Sequence, residues 1–283
     1  MTTLDLVLRA ARAALITTLA LEPEVAALEA AVLLGQVLNQ SRAYLLAHPE
    51  MELDDASLTP FATLLQRRLH GEPIAYLLGQ REFYGFEFSV TPDVLIPRPE
   101  TELLVELALE RIPPDQALQV LDLGTGSGAI ALSIAKLRPQ AQITAVDCAP
   151  GALSIARHNA LRLGCTSIKI LESDWFSALD TIHPFDLIVS NPPYIAIGDP
   201  HLTQGDVKSE PALALLSGIE GLDAIRHIVF KARSYLRDSG CLLFEHGYDQ
   251  GAACREILHS HGWQQIASYA DLSGWDRVSG GTR

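Results

Sequence analysis

The chain carries, at residues 118–128, the run Leu118-Gln119-Val120-Leu121-Asp122-Leu123-Gly124-Thr125-Gly126-Ser127-Gly128. Its apolar part has the length and composition of a buried strand, and its glycines allow a sharp turn that approaches a ligand closely. A helical pattern begins at Ala129 and ends at Arg138-Pro139. Strand, glycine turn and helix together are typical of the nucleotide-binding corner of a doubly wound sheet. We therefore predict an α/β fold.

The glycine turn is the first predicted binding element. Its predicted cofactor-binding residues are Gly124, Thr125, Gly126, Ser127 and Gly128. Asp147 ends the next apolar strand (142–146), 19 residues after Gly128, where a carboxylate can accept both hydroxyl hydrogens of a ribose. The spacing is G-x-G-x-G and not the dinucleotide G-x-G-x-x-G, and no lysine follows it as in a P-loop. The loop alone favours an adenosine cofactor without saying which one, and a purely structural turn stays open as the alternative.

A second element, Asn191-Pro192-Pro193-Tyr194, follows the apolar strand at residues 185–190. A polar residue at the carboxyl end of such a strand lies on the edge where open α/β sheets bind ligands. The two prolines fix two φ angles and remove two N–H donors, which leaves rigid carbonyl oxygens beside the asparagine side chain. Two acceptors and a flat aromatic face suit a planar NH2 group. Taken alone, the run favours a proline-rich turn leaving a strand over a binding element.

Four motifs follow the predicted strands in order along the chain. They are the loop after Asp122, then Asp147, then Asp174-Trp175, then residues 191–194. Because the carboxyl ends of parallel strands meet at one edge of a sheet, we predict that these motifs line a single cleft. Trp175 is expected to stack on the adenine ring, with core packing as the alternative for an aromatic residue in a loop.

Three segments are predicted along the chain. Residues 1–72 have apolar stripes at helical spacing, which predict a small helical bundle. The stripes are Leu4, Leu8, Ala11 and Leu15, then Leu28, Ala31 and Val32, then Leu58, Phe61, Leu64, Leu65 and Leu69, with Pro60 in the first turn of the third helix and Gly71 as its stop. Residues 73–98 form a linker with a β-hairpin, because residues 83–90 alternate with a period near two. Residues 99–283 alternate strands and helices, which predicts a mostly parallel sheet closed by a strand pair at 263–269 and 275–279.

Several blocks of the sequence resemble one family of enzymes. The glycine loop, with Asp122 ahead of it, resembles that of S-adenosylmethionine-dependent methyltransferases, and Asn-Pro-Pro-Tyr resembles the motif of enzymes that methylate planar nitrogens. Almost the whole chain is similar to the peptide chain release factor glutamine methyltransferases, the PrmC/HemK family. The blocks that carry this similarity are residues 71–102, 124–128, 191–194, 210–215, 218–222 (with Glu220 where Asp is usual), 245–250 and 271–277.

The resemblance implies a class I, Rossmann-like methyltransferase sheet of seven strands with S-adenosyl-L-methionine as cofactor. It also implies methylation of the glutamine side-chain amide in the Gly-Gly-Gln loop of peptide chain release factors, which the N-terminal helical domain would recognise. The residues expected to be catalytic are Asn191, Pro192 and Tyr194. The residues expected to bind the substrate are Asn191, Pro192, Pro193 and Tyr194. Those expected to bind the cofactor are residues 124–128, Asp147, Trp175 and Asn191.

Other functions stay open beside this one. A ribosomal-protein glutamine methyltransferase shares both motifs, but it usually has Pro-Arg-Ser-Pro where this chain has Pro-Arg-Pro-Glu-Thr-Glu at residues 97–102. A DNA or RNA adenine methyltransferase would need clustered cations, and the formal charge here is −13 without a basic run. A non-catalytic cofactor-binding protein would be expected to lose Asn191 or the glycines first, and both are intact.

Composition indicates where the protein acts. Its four cysteines (Cys148, Cys165, Cys241 and Cys254) show no C-x-x-C spacing, which favours reduced thiols inside a cell, and its nine histidines form no metal motif. No stretch approaches the roughly 20 apolar residues of a membrane span. Residues 14–21 are too short and poorly flanked for a signal peptide. We expect a soluble cytoplasmic protein that binds neither membranes nor nucleic acid.

Overall fold

The computed structural model describes residues 2–181 and 184–283. The chain forms two compact units. The helical unit comprises Met1–Gly79 together with Gln204–Ser209, and the α/β unit comprises Gln80–Thr203 together with Glu210–Arg283. Within the described ranges, no helix has both the length and the apolar character that crossing a membrane requires.

The N-terminal helical bundle is confirmed. Its helices are α1 (Leu4–Leu19), α2 (Pro23–Leu38), α3 (Arg42–Ala47), α4 (Asp55–Leu69) and α5 (Ile74–Leu78). The stripe predicted on α2 is wrong at Leu28, which is 43% exposed, and correct at Ala31, which is buried. The buried face of α2 consists of Ala26, Ala30, Ala31, Leu33, Leu34 and Gly35. Since α2 carries Ala and Leu around much of its circumference, its sequence does not single out one apolar face.

Helix α4 begins earlier than the sequence analysis expected. The Asp54 side chain caps it by accepting the Ser57 N–H at 3.0 Å, so Asp55 is the first helical residue. Pro60 therefore lies in the second turn, and the prediction that it lies in the first was wrong. Without an N–H, Pro60 gives no bond to the carbonyl of Ala56, and the helix continues to Leu69 nonetheless.

A buried arginine holds the late segment Gln204–Ser209 within the helical unit. The Arg68 guanidinium pairs with Glu29 at 2.8 Å and with Asp206 at 3.0 Å. The hydroxyl of Ser209 also donates to the carbonyl of Gly71 at 3.3 Å. No composition shift marks this segment, and the three segments predicted from the sequence did not anticipate it.

The predicted β-hairpin is present in the α/β unit as β1 (Gln80–Phe83) and β2 (Phe86–Ser89). Its turn residues, Tyr84 and Gly85, have φ of 53° and 78°, as a two-residue type I′ turn requires. The carboxylate of Glu102 accepts the Tyr84 N–H at 2.9 Å and stabilises the turn.

Helices and strands alternate through the rest of the α/β unit. They are α6 (Glu102–Arg111), β3 (Gln119–Leu123), α7 (Ala129–Leu137), β4 (Gln142–Asp147), α8 (Pro150–Arg162), β5 (Lys169–Glu172), β6 (Phe185–Ser190), α9 (Asp223–Ala232), β7 (Leu236–Glu245), α10 (Gly251–Ser260), β8 (Gln264–Ala270) and β9 (Asp276–Thr282). The sheet order is β5-β4-β3-β6-β7-β9-β8. Strands β3 to β7 are parallel, and β9 is antiparallel to β7 and β8. The predicted fold class, a seven-stranded methyltransferase-type sheet, is confirmed.

The core of the α/β unit lies on both faces of this sheet. Val120 of β3 belongs to one buried cluster and the adjacent Leu121 to the other, because successive strand residues point to opposite faces. Strands β4 and β5 are added on one side of β3, whereas β6 and β7 are added on its other side, so the order of the strands reverses between β3 and β6. Open α/β sheets bind ligands at the carboxyl ends of the strands beside such a switch point.

Candidate active site

A cavity of about 570 Å³ lies at the carboxyl ends of β3, β4, β5 and β6. This volume falls in the range of about 300–1,000 Å³ that is usual for small-molecule sites. The predicted site residues that line it are Gly124, Thr125, Gly126, Ser127, Asp147, Trp175, Asn191 and Pro193. Gly128, Pro192 and Tyr194 are not in its wall. The four motifs thus meet at one edge of the sheet, while the individual roles of their residues stay predictions.

Asp147 organises the glycine loop. Its Oδ2 accepts the N–H of Gly126 at 2.9 Å, and its Oδ1 accepts the N–H of Ala149 at 2.9 Å. The side chain is half-buried and reaches the cavity. Since each carboxylate oxygen has two lone pairs, both oxygens keep an acceptor position for a ligand hydroxyl.

Asp122, at the end of β3, also stabilises the glycine loop. Its carboxylate is fully buried, and its Oδ2 accepts the hydroxyl hydrogen of Thr125 at 2.6 Å. Burial raises the pKa of Asp122 to about 7, although the hydrogen bond from Thr125 opposes that rise. Asp122 was noticed as part of the loop pattern but not predicted as a site residue. Because successive strand residues point to opposite faces of the sheet, its side chain lies on the face opposite to that of Leu121 and Leu123.

Trp175 forms one wall of the cavity. Its φ of 49° is in the left-handed region, and its indole lies over the loop. A Cβ atom at Gly124 would be 3.7 Å from ring carbon Cζ3, so the indole lies in van der Waals range of the loop backbone. The face of this half-buried indole is a suitable stacking surface for a flat base.

Asn191 is oriented by a threonine. Its Nδ2 donates to Oγ1 of Thr101 at 3.1 Å, and Thr101 is buried in the turn before α6. Within residues 2–181 and 184–283, no protein donor hydrogen-bonds to Asn191 Oδ1 or to the Pro192 carbonyl oxygen. These two acceptors are the ones that the sequence analysis assigned to a substrate NH2 group.

Tyr194 is anchored at both ends. Its hydroxyl donates to Oε1 of Glu245 at 3.1 Å, and its carbonyl accepts the Gln250 amide at 3.0 Å. Burial, followed by the charge of Glu245, raises the pKa of Tyr194. Burial likewise raises the pKa of Glu245 to about 7, against hydrogen bonds from Thr101 and Tyr194 that lower it. Tyr194, which is half-buried, is therefore held by a buried carboxylate at its hydroxyl and by Gln250 at its carbonyl.

The block at residues 218–222 packs directly on this motif. Gly221 has φ of +71°, and a Cβ there would lie 2.3 Å from the Tyr194 carbonyl oxygen, so only glycine fits. Glu220, the departure noted above, is exposed and pairs with Arg226 on the surface. The family-like block is thus a structural support for residues 191–194.

Several cavity residues were not predicted as site residues. They include Asp93, Val94, Leu95, Pro97, Thr101, Leu213, Ala214, Leu216, Ser217, Gly218, Asp223 and His227. Those at positions 93–101, 213, 214 and 218 lie in the blocks that carry the resemblance, which was the one available signal. Leu216, Ser217, Asp223 and His227 lie outside those blocks. No cluster of three metal-binding side chains occurs in the part of the chain that the structure describes.

Comparison with known proteins identifies the family. A family model described as "PrmC N-terminal domain" matches residues 7–79, and one described as "Methyltransferase small domain" matches residues 100–205. The release factor glutamine methyltransferase of Burkholderia pseudomallei is 50% identical over 90% of this chain and 91% of its own. That of Vibrio cholerae is 50% identical over 89% of this chain and 88% of its own. The chain belongs to the release factor glutamine methyltransferase family.

Membership of this family confirms the resemblance and the prediction of a methyltransferase. Among solved structures, the T. thermophilus 16S rRNA N2 G1207 methyltransferase, in complex with AdoMet and guanosine, is 22% identical with a TM-score of 0.53. The match covers 72% of this chain and 49% of that one. At this identity the likeness shows the fold alone, and it agrees with the sheet of the glutamine methyltransferase described here.

Proposed function

We propose that this enzyme transfers a methyl group to the side-chain amide nitrogen of the glutamine in the Gly-Gly-Gln loop of peptide chain release factors. The observation that carries the proposal is the pair of acceptors at Asn191 Oδ1 and Pro192 O, which no protein donor in the described ranges occupies. Two fixed acceptors match the two hydrogens of one planar amide. The release factor substrate predicted from the sequence agrees with the names of the relatives.

The methyl donor is S-adenosylmethionine, as predicted, and when bound it supplies an electrophilic methyl group on its sulfonium. The residues present fit this cofactor, since the cavity combines a carboxylate at Asp147, an aromatic wall at Trp175 and glycine backbone between them. Asp147 would accept the ribose hydroxyls, and Trp175 would stack on the adenine. Gly126 and its neighbours would admit the amino-acid tail without side-chain clashes.

The protein's part in the reaction is to position a weak nucleophile. An amide nitrogen has its lone pair delocalised into the carbonyl, so the hydrogen bonds to Asn191 and Pro192 must orient it and favour a pyramidal geometry. Holding reactants in a near-attack arrangement can supply about 7–11 kcal/mol. Fixed acceptor dipoles also stabilise the positive charge that develops on nitrogen during transfer. The proton leaves after transfer, so the mechanism uses no general base.

We assign recognition of the release factor to residues 1–72, which belong to the helical unit, and the reaction to residues 99–283. Contacts remote from the glutamine position the reacting group and raise specificity. A short Gly-Gly-Gln peptide is therefore expected to show a much lower kcat/KM than the intact factor. We place the reaction in the cytoplasm, where release factors act, and expect no direct contact with nucleic acid or membrane.

Mass spectrometry tests the substrate directly. Unmethylated release factor is incubated with enzyme and S-adenosylmethionine, digested, and the peptide that contains Gly-Gly-Gln is sequenced. The proposal expects one added methyl group on the glutamine side chain. Methyl label on a ribosomal-protein glutamine or on DNA adenine, with none on the release factor, would reject it.

A further inference from the structure

A glutamine before α10 connects three segments around the substrate acceptors. Gln250 is half-buried and directly precedes the first residue of α10. Its Nε2 donates to the carbonyl of Tyr194 at 3.0 Å and reaches the carbonyl of Gly221 at 3.4 Å. Its Oε1 accepts the N–H of Gly247 at 2.8 Å. One side chain thus joins the strand-end motif, the block at residues 218–222 and the turn that follows β7.

Two backbone groups fix the direction of the Gln250 amide. The N–H of Gly247 can only donate, so the atom that faces it is the amide oxygen. The carbonyl of Tyr194 can only accept, so the atom that faces it is the NH2 nitrogen. An amide turned by 180° would lose both bonds. Gly221 leaves room for the bond to Tyr194, because a Cβ there would lie 2.9 Å from Nε2 of Gln250.

The Tyr194 carbonyl belongs to a peptide group that is held from both sides. The N–H of this group, on Ile195, donates to the Leu215 carbonyl at 2.8 Å, and its oxygen accepts from Gln250. Two bonds on opposite sides fix the plane of a peptide group, whereas one bond lets the plane turn about it. The bond from the Tyr194 hydroxyl to Glu245 cannot replace them, because χ1 and χ2 lie between the ring and the backbone.

The run before this peptide group is stiff, so its two ends decide where it points. Pro192 and Pro193 have fixed φ angles, and a proline also restricts the residue before it. The near end is held at Ser190, which pairs with β3 and β7 and whose hydroxyl donates to a carbonyl of β3 at 2.8 Å. With the far end fixed at Tyr194 as well, the Pro192 carbonyl between them keeps one direction. With the far end free, the run can turn about the ψ angles that proline does not fix.

We propose that Gln250 is a positioning residue, which holds the peptide group after Tyr194 so that the Pro192 carbonyl stays directed at the substrate amide. The inference rests on the proposed function, in which that carbonyl accepts one of the two amide hydrogens. Gln250 does not line the cofactor cavity, so it acts on the reaction through the acceptor alone. Its loss should slow methyl transfer and leave cofactor binding unchanged, because a misdirected acceptor costs rate.

Gln250→Glu tests the bond to Tyr194 in the full-length enzyme, with intact release factor as substrate. The carboxylate keeps the length of the side chain and an acceptor for the Gly247 N–H, but it places an oxygen against the Tyr194 carbonyl. With enzyme and cofactor in excess, we expect the single-turnover rate to fall by about tenfold or more, as for the loss of one buried hydrogen bond. KM for the factor and the Kd of S-adenosylmethionine should stay within about threefold of wild type, because remote contacts and the cavity are unchanged.

Gln250→Met is a second variant at the same position. Methionine has a similar length and lacks both hydrogen-bonding groups, so its rate should fall at least as far as that of Gln250→Glu. Either variant decides alone should the other fail to fold. The matched control is Gln264→Glu, which makes the same change at an exposed position of β8 outside the cavity wall and should keep the wild-type rate.

The split between rate and binding separates positioning from a structural role. A structural glutamine would alter only the folded fraction, which calorimetric titration with the cofactor measures as the number of binding sites. A wild-type rate per folded enzyme in the variants would overturn the inference, and so would a cofactor affinity that falls as far as the rate. A wild-type enzyme that methylates no release factor would reject the proposed function instead, so the two failures are distinct.

Discussion

The backbone N–H of Gly126 donates to Asp147 Oδ2 at 2.9 Å, which joins the glycine loop after β3 to the end of β4. The second oxygen is held by Ala149 at 2.9 Å, so the carboxylate is fixed before any ligand binds. Such preorganisation lowers the ordering cost of binding. We infer that Asp147 shapes the loop and binds the cofactor with the same side chain.

Replacing Asp147 by alanine should weaken S-adenosylmethionine binding by tenfold or more, because charge-assisted hydrogen bonds contribute about 1.5–3 kcal/mol each. Calorimetry on the folded variant measures this affinity. Asp115→Ala, which removes an exposed carboxylate ahead of β3, is the control and should bind as wild type does. Wild-type affinity in Asp147→Ala would refute the assignment.

Asn191→Ala separates binding from chemistry. The alanine removes the acceptor that we propose for the substrate amide, so we expect turnover to fall by about 100-fold or more, as for other fixed groups that stabilise a transition state. Cofactor affinity should change much less. Single-turnover methylation of the release factor, together with calorimetry, gives both quantities. Methyl transfer near the wild-type rate would make Asn191 a structural residue.

Asn159 is expected to matter for stability. It is fully buried in α8. It accepts the Ser89 N–H at 2.8 Å and donates to the carbonyls of Ser89 and Ser127 at 3.0 and 2.9 Å. Asn159→Ala leaves these backbone groups unpaired, at a cost of about 1–3 kcal/mol for each group. Chemical denaturation should show the loss, while the exposed neighbour His158→Ala should show almost none.

Asp122 predicts a dependence of stability on pH. Burial raises its pKa to about 7 in the folded protein, above the unfolded value of about 3.9. The folded state therefore binds this proton more tightly, and the contribution is fully present below about pH 4 and lost as pH rises through about 7. Asp122→Asn cannot titrate, so its denaturation midpoint should fall less than that of wild type between pH 5 and about 8. If the denaturation midpoints of the two proteins change equally with pH, the raised pKa of Asp122 is contradicted.

The periodic parts of the fold were predictable because their signals are local. Strand β6 was placed at residues 185–190 as observed, since a short β-branched run between polar segments has few alternatives. The hairpin followed from alternation with a glycine at the turn. Helix α2 was harder, because its alanines and leucines surround the helix and only its neighbours select the buried face.

The sequence predicted which motifs line the site, but it did not predict the residues that hold those motifs in place. Strand-end motifs meet wherever a parallel sheet forms, so residues 124–127, Asp147, Trp175 and Asn191 could be grouped before the fold was known. Thr101 and Asn191 lie 90 residues apart in sequence and meet only in the folded protein. Local patterns carry no information about such a pairing, nor about the packing of Asn159 on Ser127.

The placement of Gln204–Ser209 has a consequence for how this protein can be dissected. The polypeptide leaves the helical unit after Gly79, returns at Gln204 and leaves again after Ser209. A fragment that ends at residue 79 lacks Asp206, and its buried Arg68 loses one of two carboxylate partners. A helical module grafted between homologues must therefore carry both pieces of chain. Replacing only the N-terminal piece would separate Asp206 from the Arg68 with which it pairs here.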